Sequence, residues 1–355
     1  MMKNSPVCDI ILLSWNKLLY LQPCVESLFK HTKLPINLFI VDNGSGAETV
    51  NYLQKLGITQ HQENIHLQII YNNENLGFVG GMNQGMKLST SPYVCLLNND
   101  TLFTANWLEL CLKTFESNPQ IGIVNPNSTT FGVWPKKNQS VEDVAFEILK
   151  RWADQPITEI GSAVGFCMFI KREVIEKIGY LEESLYKFFF EDADYSKRAK
   201  LAGYKCVVAN QAYVFHYEHK SFKNKKHRDQ YFKQNQKWFY EKWGKPLRIF
   251  LPKKALSNQD REILTHIARN DHFIYVHLPH SVKVDWNDKH ANISLIYHSF
   301  ETRPELFFFP YKIIKRQKKP YDYIVAQDYP LLKKILPFYR KKIVNSLKDI
   351  KELNF

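Results

Sequence analysis

Apolar and polar residues alternate in blocks along the first hundred residues of the chain. Short apolar runs bounded by turn residues predict buried strands at Asp9–Ser14, Ile36–Val41, His66–Tyr71 and Tyr93–Leu97. Helical spacing of apolar residues between the first three runs predicts helices at Leu18–His31 and Glu48–Leu56. This alternation indicates an α/β fold with a Rossmann-like, mostly parallel sheet flanked by helices.

A polar loop follows each of these predicted strands. The loops are Ser14–Asn16, Asp42–Ser45, Asn75–Asn83 and Asn98–Asp100. Ligands of parallel sheets bind beyond the carboxyl ends of the strands, so we expect the four loops to converge on one crevice. The glycines of the third loop fit neither a P-loop nor a dinucleotide fingerprint, and their alternative explanation is a turn before a helix.

The stretch Cys95–Phe103 gives the clearest chemical indication. Apolar residues lead to Asn98, Asn99 and Asp100 and then resume, which is typical of a buried strand that ends at a functional loop. Mg²⁺ and Mn²⁺ bind one or two carboxylates in such places and complete their coordination with water and substrate phosphate. Taken alone, the triplet is also an ordinary turn. The other polar loops favour a site.

The α/β pattern continues to residue 215. It predicts a strand at Ile121–Val124, a surface helix or irregular excursion at Ser140–Asp154 and a short helix at Glu173–Ile178. Two further apolar runs follow at Tyr204–Val208 and Tyr213–Phe215. His216 comes directly after the second run, a position where a lone histidine is usually a structural group.

A run of phenylalanines, Phe188–Phe190, is followed directly by Glu191, Asp192 and Asp194. Asp194 and Arg198 lie four residues apart, so their ordinary role is a helical ion pair of little energetic value. Glu191 or Asp192 could also cap that helix. Because charge is seldom placed beside a large aromatic run without function, the acidic pair is a candidate catalytic site.

The segment from Lys220 to Lys245 mixes cations with aromatic residues. It is either a solvated helix face or a mobile cationic loop that contacts phosphate or a lipid headgroup. Replacing the cations Lys223, Lys225, Lys226 and Arg228 with Gln separates the two explanations. Only the second predicts weaker acceptor use or membrane association, with an effect that shrinks as salt rises.

Length and charge narrow the class of protein. A chain of 355 residues suggests two domains, and no apolar run reaches the roughly 18 residues of a membrane-spanning helix. No signal peptide is recognisable, and six cysteines without a CxxC pair indicate neither zinc nor disulfides, which fits a reducing cytoplasm. The net charge of +13 favours phosphates or an anionic membrane face as partners. Nucleic acid is not expected, because no RNA-binding or helix-turn-helix signature accompanies the charge.

Several short stretches match one family in order and spacing. They are Ile11–Asn16, Val41–Ser45, Asn75–Phe78 with Gly80–Asn83, Leu97–Asp100, Gly165–Cys167, Phe190–Asp194 and His216. On these stretches residues 7–245 resemble the family 2 glycosyltransferases, inverting enzymes with the glycosyltransferase-A fold. The most similar branch is the bacterial rhamnosyltransferase-like enzymes of polysaccharide assembly.

The resemblance implies roles for the matching residues. Those implied to bind nucleotide are Ser14, Trp15, Asn16, Asp42, Asn75, Gly77, Asn83, Asn98 and Asn99. Asp42 would bind the nucleobase. Asp192 matches the catalytic base, and Glu191 would support it or bind acceptor hydroxyls. Asp100 and His216 would bind Mn²⁺ or Mg²⁺.

One departure from the family concerns the metal. Asn98 stands where the family has the first Asp of its Asp-x-Asp motif, so one negative charge is missing. Asp100 must then be the principal acidic ligand, while Asn98 orients ribose or water.

The resemblance implies a metal-dependent, inverting transfer of a hexosyl or rhamnosyl unit from a dTDP- or UDP-linked sugar. The acceptor would be a hydroxyl of a glycan or lipid-linked intermediate in cell-surface polysaccharide synthesis, in the cytoplasm or at the inner face of its membrane. Two alternatives stay open. One is a non-catalytic sugar-nucleotide-binding or scaffold protein. The other is a nucleotidyltransferase, which would need a basic phosphate-binding loop that the N-terminal sequence lacks.

The resemblance ends near residue 250, so we expect a catalytic domain at 1–250 and a small α/β domain at 255–355. Apolar runs predict strands in the latter at Phe273–Leu278, Ile293–Tyr297 and Tyr323–Ala326, and a helix at Leu331–Tyr339. No catalytic constellation is visible there. This part would bind acceptor or a partner, or begin a further transferase domain.

Overall fold

The computed structural model describes residues 5–60, 62–185, 188–218, 225–300, 303–315, 319–350 and 353. Within these ranges the side chains of 225–227 and 340–341 are not described. The chain separates into two compact units. The first contains Met1–Thr158 and Ser162–Trp243, and the second contains Glu159–Gly161 and Gly244–Phe355.

The first unit alternates strands and helices along its length. Its strands are β1 (Cys8–Ser14), β2 (Ile36–Asp42), β3 (Ile65–Tyr71), β4 (Tyr93–Asn98), β5 (Thr101–Phe103), β6 (Ile121–Asn127), β8 (Cys167–Lys171) and β9 (Lys205–His216), and it contains the first two residues of β7 (Ile157–Ile160). Its helices are α1 (Leu18–His31), α2 (Ala47–Thr59), α3 (Gly77–Leu88), α4 (Trp107–Glu116), α5 (Val141–Arg151), α6 (Arg172–Ile178), α7 (Glu191–Leu201) and α8 (Lys225–Trp243).

The main sheet of this unit runs in the order β3-β2-β1-β4-β8-β6-β9-β5. The pairs β3-β2, β2-β1, β1-β4 and β6-β9 are parallel, whereas β8 is antiparallel to both β4 and β6. Helices cover the sheet, so the central strand β1 is buried and has the continuous apolar sequence that such a position requires. The predicted α/β architecture with a mostly parallel sheet is confirmed.

The strand register places the predicted loops at one edge of the sheet. Ser14 pairs with Asp42, Leu13 pairs with Asn98, and Asp42 pairs with Tyr71. The ends of β1, β2, β3 and β4 therefore lie side by side, and the loops that leave them share one surface. This register is the structural basis of the expected crevice.

The two apolar runs Tyr204–Val208 and Tyr213–Phe215 belong to one strand, β9. The polar residues between them do not break it, because the buried Asn210 side chain donates to the Gln155 carbonyl and to Thr158 Oγ1, both at 2.8 Å. A buried amide with its partners in place is tolerated inside a sheet.

From Lys225 to Trp243 the basic aromatic segment is the helix α8. This helix buries Asn235 and Phe239 and leaves Lys233 and Lys237 exposed, so the charged face named as one explanation is present. Lys223 and the side chains of Lys225 and Lys226 lie outside the described residues, and their predicted contact with phosphate or lipid stays a prediction.

The second unit has its own parallel sheet. The strands are β10 (Arg248–Pro252), β11 (Phe273–Pro279), β12 (Ile293–His298), β13 (Tyr323–Val325) and β14 (Ile343–Val344). The α-helices are α9 (Asn258–Arg269), α10 (Phe308–Lys315) and α11 (Leu332–Ile335). The strand order is β12-β11-β10-β13-β14, and every pair is parallel. This is a doubly wound order, with its first strand in the middle.

Sequence reasoning missed β10, α9 and α10 in this unit. The start of α9 has a readable signal, a capping box between Ser257 and Asp260. The predicted helix Leu331–Tyr339 is instead α11 followed by a 3₁₀ helix at Pro337–Lys342. Pro337 has no backbone N–H to continue an α-helix, which explains the change.

None of the helices in the described part of the chain has both the length and the apolar character needed to cross a membrane.

Candidate functional site

A pocket of about 230 Å³ opens at the carboxyl edge of the first sheet. The residues that line it are Leu13, Trp15, Asn43, Asn75, Gly77, Phe78, Asn98, Asn99, Asp100, Val164, Gly165, Phe166, Phe188, Phe189, Glu191, Asp192 and His216. All four loops named from the sequence contribute to it, together with the acidic pair and the late histidine. The predicted convergence of these loops is confirmed.

Asp100 and His216 face each other at the wall of this pocket. His216 ends β9, which pairs with β5 so that His216 stands opposite Thr101. The imidazole Nε2 lies 3.1 Å from Asp100 Oδ1, and both side chains are largely buried. One carboxylate oxygen and one imidazole nitrogen at this separation are a compact pair of donors for a hard divalent cation.

The second ring nitrogen of His216 is also engaged. Nδ1 lies 3.0 Å from Thr130 Oγ1, and the Phe166 ring stacks on the imidazole with centroids 5.0 Å apart. Which nitrogen carries the proton depends on what lies between Nε2 and Asp100. A cation bound there would take the Nε2 lone pair and leave the Nδ1 proton to be donated to the Thr130 hydroxyl, the tautomer of a metal-binding histidine. The donor set therefore fits a divalent cation, although no group of three or more His, Cys, Asp or Glu side chains suited to a metal occurs among the described residues. Further coordination positions would belong to substrate and water.

Glu191 and Asp192 begin α7 at the opposite wall. Neither side chain caps the helix, since its N-cap is Phe190 and no side-chain cap bond is made. Asp192 Oδ2 accepts the Gly165 N–H at 3.1 Å, and Oδ1 accepts the Ala193 N–H at 2.7 Å. These two bonds fix the orientation of the Asp192 carboxylate at the edge of the pocket.

The two adjacent carboxyl groups titrate abnormally because of their surroundings. Burial, with a smaller contribution from the charge on Asp192, raises the pKa of Glu191 to about 8. Burial also raises the pKa of Asp192, partly opposed by the hydrogen bonds from Gly165 and Ala193. Two close carboxyl groups in a low dielectric cannot both ionise easily. The pair therefore resists double ionisation, and Glu191 is the member whose pKa reaches about 8.

A strained turn delivers this pair, and Asn235 of α8 holds it. Phe189 and Phe190 have φ angles of 75° and 71°, in the left-handed region that non-glycine residues avoid. The buried Asn235 Nδ2 donates to the carbonyls of Phe188 at 2.6 Å and of Phe189 at 3.1 Å. Sequence reasoning missed Asn235, because no local pattern links it to a turn some 46 residues earlier.

A second connection between α7 and α8 centres on Asp194, which is fully buried. Its carboxylate accepts from Arg198 Nε at 2.8 Å, from Lys242 Nζ at 2.9 Å and from Trp243 Nε1 at 2.9 Å. The Asp194–Arg198 pair exists as predicted, but its carboxylate is buried rather than on an exposed helix face. A buried carboxylate with three donors is costly to disrupt.

The predicted nucleotide-binding residues divide into two groups. Those that line the pocket are Trp15, Asn75, Gly77, Asn98 and Asn99. Sequence reasoning missed Asn43, which also lines it. Its Nδ2 donates to Asn75 Oδ1 at 3.0 Å and to the Gly77 carbonyl at 2.9 Å, so it joins two of the loops. The matching stretch Val41–Ser45 contained this signal.

Ser14, Asn16, Asp42 and Asn83 do not line the pocket. Asn16 accepts the Gly46 N–H at 2.8 Å, and Asn83 is bonded to both backbone groups of Leu181. These are contacts that hold loops together. Ser14 Oγ and Asp42 Oδ1 are buried beside the loops without a hydrogen-bond partner among the described residues. Their proposed contacts with nucleotide stay predictions.

The pocket contains no basic side chain among the described residues that line it. Asp100, Glu191 and Asp192 are acidic, and the remaining polar groups are neutral amides and His216.

The fold and this pocket together define a glycosyltransferase-A type domain. Residues 9–179 match the sequence model of the family described as Glycosyl transferase family 2, and the chain carries a domain of this family. The family and the fold predicted from the sequence motifs are confirmed. The match ends before α7, β9 and α8, which supply Asp192, His216 and Asn235.

Similar proteins were found among curated sequences. An uncharacterised glycosyltransferase of Haemophilus influenzae is 23% identical over 120 residues, which are 34% of this chain and 36% of the relative. A chondroitin synthase of Pasteurella multocida is 24% identical over 200 residues, which are 51% of this chain and 20% of the synthase. The chain thus spans about a third and a fifth of the lengths of these two relatives.

Similar solved structures were found as well. A mannosyltransferase of Pyrobaculum calidifontis in complex with GDP-Man and Mn²⁺ has a TM-score of 0.46 and 16% identity, covering 59% of this chain and 56% of the other. TarS residues 1–349 of S. aureus has a TM-score of 0.45 and 14% identity, covering 66% of this chain and 72% of the other.

Proposed function

We propose that the protein is an inverting, metal-dependent glycosyltransferase that moves a sugar from a nucleoside diphosphate to a hydroxyl of a glycan or lipid-linked acceptor. The observation that carries the proposal is that Asp192, Asp100 and His216 line the same pocket, together with residues of the four loops at the strand ends. The donor would be UDP- or dTDP-linked, the sugar hexosyl or rhamnosyl, and the product part of a cell-surface polysaccharide made at the cytoplasmic side of the membrane.

The reaction requires one bond to form and one to break at the anomeric carbon. The acceptor oxygen attacks from the side opposite the diphosphate, its proton passes to the Asp192 carboxylate, and the diphosphate leaves with the bonding electrons. Asp192 suits this role because its orientation is fixed by Gly165 and Ala193, and a raised pKa makes it a stronger base than an exposed aspartate.

Glu191 supports the base through its own proton. Its pKa is raised by burial, so the neutral form persists at neutral pH and adds no second negative charge beside Asp192. A protonated Glu191 also has a hydrogen to donate to an acceptor oxygen.

Asp100 and His216 are the residues that would hold Mn²⁺ or Mg²⁺, with Asn98 orienting ribose or water. A divalent cation neutralises charge that develops on a departing diphosphate. The lack of a basic residue among the described lining residues supports this requirement. Thr130 and Phe166 orient the His216 ring for this purpose.

A panel of nucleotide sugars, monitored for release of nucleoside diphosphate with and without Mn²⁺, tests the proposal. We expect release from UDP- or dTDP-sugars that depends on the metal and increases with a glycan or lipid-linked acceptor. A product of inverted anomeric configuration, determined by NMR, would support the in-line reaction.

Other outcomes point to the alternatives. Donor binding without release, in every combination of metal and acceptor, would indicate a sugar-nucleotide-binding or scaffold protein. Formation of nucleotide sugar and pyrophosphate from a nucleoside triphosphate and a sugar phosphate would indicate a nucleotidyltransferase.

A further inference from the structure

The second unit exposes an apolar face that its own core does not cover. Phe307, Tyr311 and Ile314 expose 79%, 55% and 48% of their surface. They lie four and three residues apart, and the Tyr311 N–H bonds to the Phe307 carbonyl at 3.1 Å, so all three share one side of α10. The opposite side carries Phe309 and Ile313, which are buried in the core.

Cations surround these residues. Lys312 and Lys315 are exposed on the same helix, with Lys315 Nζ 2.9 Å from Tyr311 Oη and Lys312 Nζ 5.4 Å from the Phe308 ring centroid. The long side chains thus lie along the aromatic rings and carry their charge at the rim of the apolar face. The sequence from Leu306 to Lys319 contains no Asp or Glu.

A second exposed aromatic lies on the same layer of the unit. Phe338 is fully exposed in the 3₁₀ helix that follows α11. Leu332 of α11 and Leu336 pack in the same core cluster as Phe309 and Ile313, whereas α9 packs in the other cluster. The helices α10 and α11 therefore cover one side of the second sheet.

The sequence that contains α10 and α11 is strongly basic. Residues 303–342 contain eleven Lys and Arg against three Asp and Glu, a net charge of +8 within a chain whose total is +13. Exposed apolar side chains flanked by lysines require a partner that is anionic at its surface and apolar just beneath it. A bilayer that contains anionic lipid has this arrangement. A purely anionic partner would need the lysines but not three exposed apolar side chains beside them.

We propose that the outward side of α10 (Phe307, Tyr311, Ile314, Lys312 and Lys315), assisted by Phe338, binds the surface of an anionic membrane. The apolar side chains insert at the level of the headgroups and the lysines bind lipid phosphates. Binding is peripheral, because α10 has only eight residues. This proposal does not depend on catalytic activity, and its test uses none.

The first experiment is co-sedimentation of the full chain with two kinds of vesicle, neutral phosphatidylcholine and phosphatidylcholine mixed with anionic phosphatidylglycerol. We expect binding only to the anionic vesicles, weakening as salt rises. The variant F307S/Y311S/I314S should bind at least about tenfold more weakly. A matched control, L19S/I58S/L201S, removes three equally exposed apolar residues of the first unit and should bind like the unchanged protein.

The charge component is tested separately. The variant K312Q/K315Q/K319Q should lose most of the salt-sensitive binding, whereas K30Q/K136Q/K237Q, with equally exposed lysines of the first unit, should keep it. Three outcomes would overturn the proposal. The two apolar variants could bind equally well, the unchanged protein could bind neutral and anionic vesicles equally well, or it could bind neither.

A label at one position distinguishes loss of the binding surface from misfolding of a variant. All six native cysteines are buried, so a single cysteine introduced by Phe307→Cys can be labelled with an environment-sensitive dye. We expect its emission to shift to the blue on anionic vesicles, while the same label at Ile58→Cys stays unchanged. A shift at both positions, or at neither, would contradict binding through α10.

Discussion

The most informative single substitution concerns Asn235, because it links α8 to the turn that carries the proposed base. Replacing Asn235 with Ala removes one donor from each of two carbonyls, those of Phe188 and Phe189. Losing a buried partner costs about 1–3 kcal/mol for each carbonyl. These two hydrogen bonds, here called the Asn235 clamp, therefore stabilise the turn by roughly 2–6 kcal/mol.

The backbone conformation of the turn is itself unfavourable, and this cost offsets the stabilisation by Asn235. A left-handed conformation costs a non-glycine residue about 1–2 kcal/mol, and both Phe189 and Phe190 adopt it, for a total of roughly 2–4 kcal/mol. The two quantities are similar, so losing the Asn235 donors removes a stabilisation about as large as the strain. Without it we expect the turn to relax and to carry Glu191 and Asp192 out of position.

The expected result is a loss of turnover larger than the loss of fold stability. A displacement of the base by about 1 Å costs on the order of 10²-fold, so kcat should fall roughly 10- to 100-fold. Relaxation of the turn limits the loss of unfolding free energy to about 1–3 kcal/mol. Affinity for the nucleotide should stay within about threefold, since Asn235 does not line the pocket.

The assay combines steady-state kinetics, nucleotide titration and urea unfolding. Asn235→Asp is the sharper variant, because its ionised carboxylate has the same size but donates no hydrogen bond. Gln234→Ala is the matched control, an amide exposed on the same helix. If Asn235→Ala and Asn235→Asp keep the turnover of the Gln234→Ala control, the clamp does not position the base and our reasoning is refuted.

Three further predictions concern the pocket. Asp192→Asn should lower turnover by about 10²-fold or more with donor binding nearly unchanged, as expected for a general base, and an equal loss of both in titration and kinetics would make Asp192 a binding residue. Asp100→Ala should abolish metal-dependent nucleotide binding measured by calorimetry, and unchanged affinity with Mn²⁺ would remove Asp100 from the metal site. Glu191→Gln should alter how the free energy of unfolding depends on pH. Folding raises the pKa of Glu191, so the stabilisation that this carboxyl group supplies is complete below its pKa in the unfolded chain and is lost as the pH rises towards about 8. Urea unfolding from about pH 5 to about pH 8 should show the unchanged protein losing stability relative to the Gln variant, and a constant difference would contradict the shift.

Much of the first unit was predictable because its signals are local. Buried parallel strands have continuous apolar runs, and α1 was predicted with its observed bounds, Leu18–His31. The loops at the strand ends followed from the rule for parallel sheets, and Trp15, Asn75 and Asp100 line the pocket accordingly.

The rest depends on contacts between distant parts of the chain. Thr130 orients His216 from 86 residues away, and Lys242 reaches Asp194 across 48 residues. No periodicity or local motif encodes such pairs. The same applies to Asn210. Its hydrogen-bond partners allow β9 to continue through polar residues that separate two apolar runs in the sequence.

The strand order of the first sheet affects the order in which the parts of the site form during folding. Strand β9 lies between β6 and β5, although it is the last of these strands in sequence. His216 is consequently 116 residues from Asp100, and β5 cannot be paired until β9 has been synthesised and inserted. Such late, long-range pairing is slow, so we expect the loops after β1, β2 and β4 to form before the proposed metal ligands Asp100 and His216 meet. Recovery of Mn²⁺ binding during refolding should therefore lag behind recovery of helical circular dichroism.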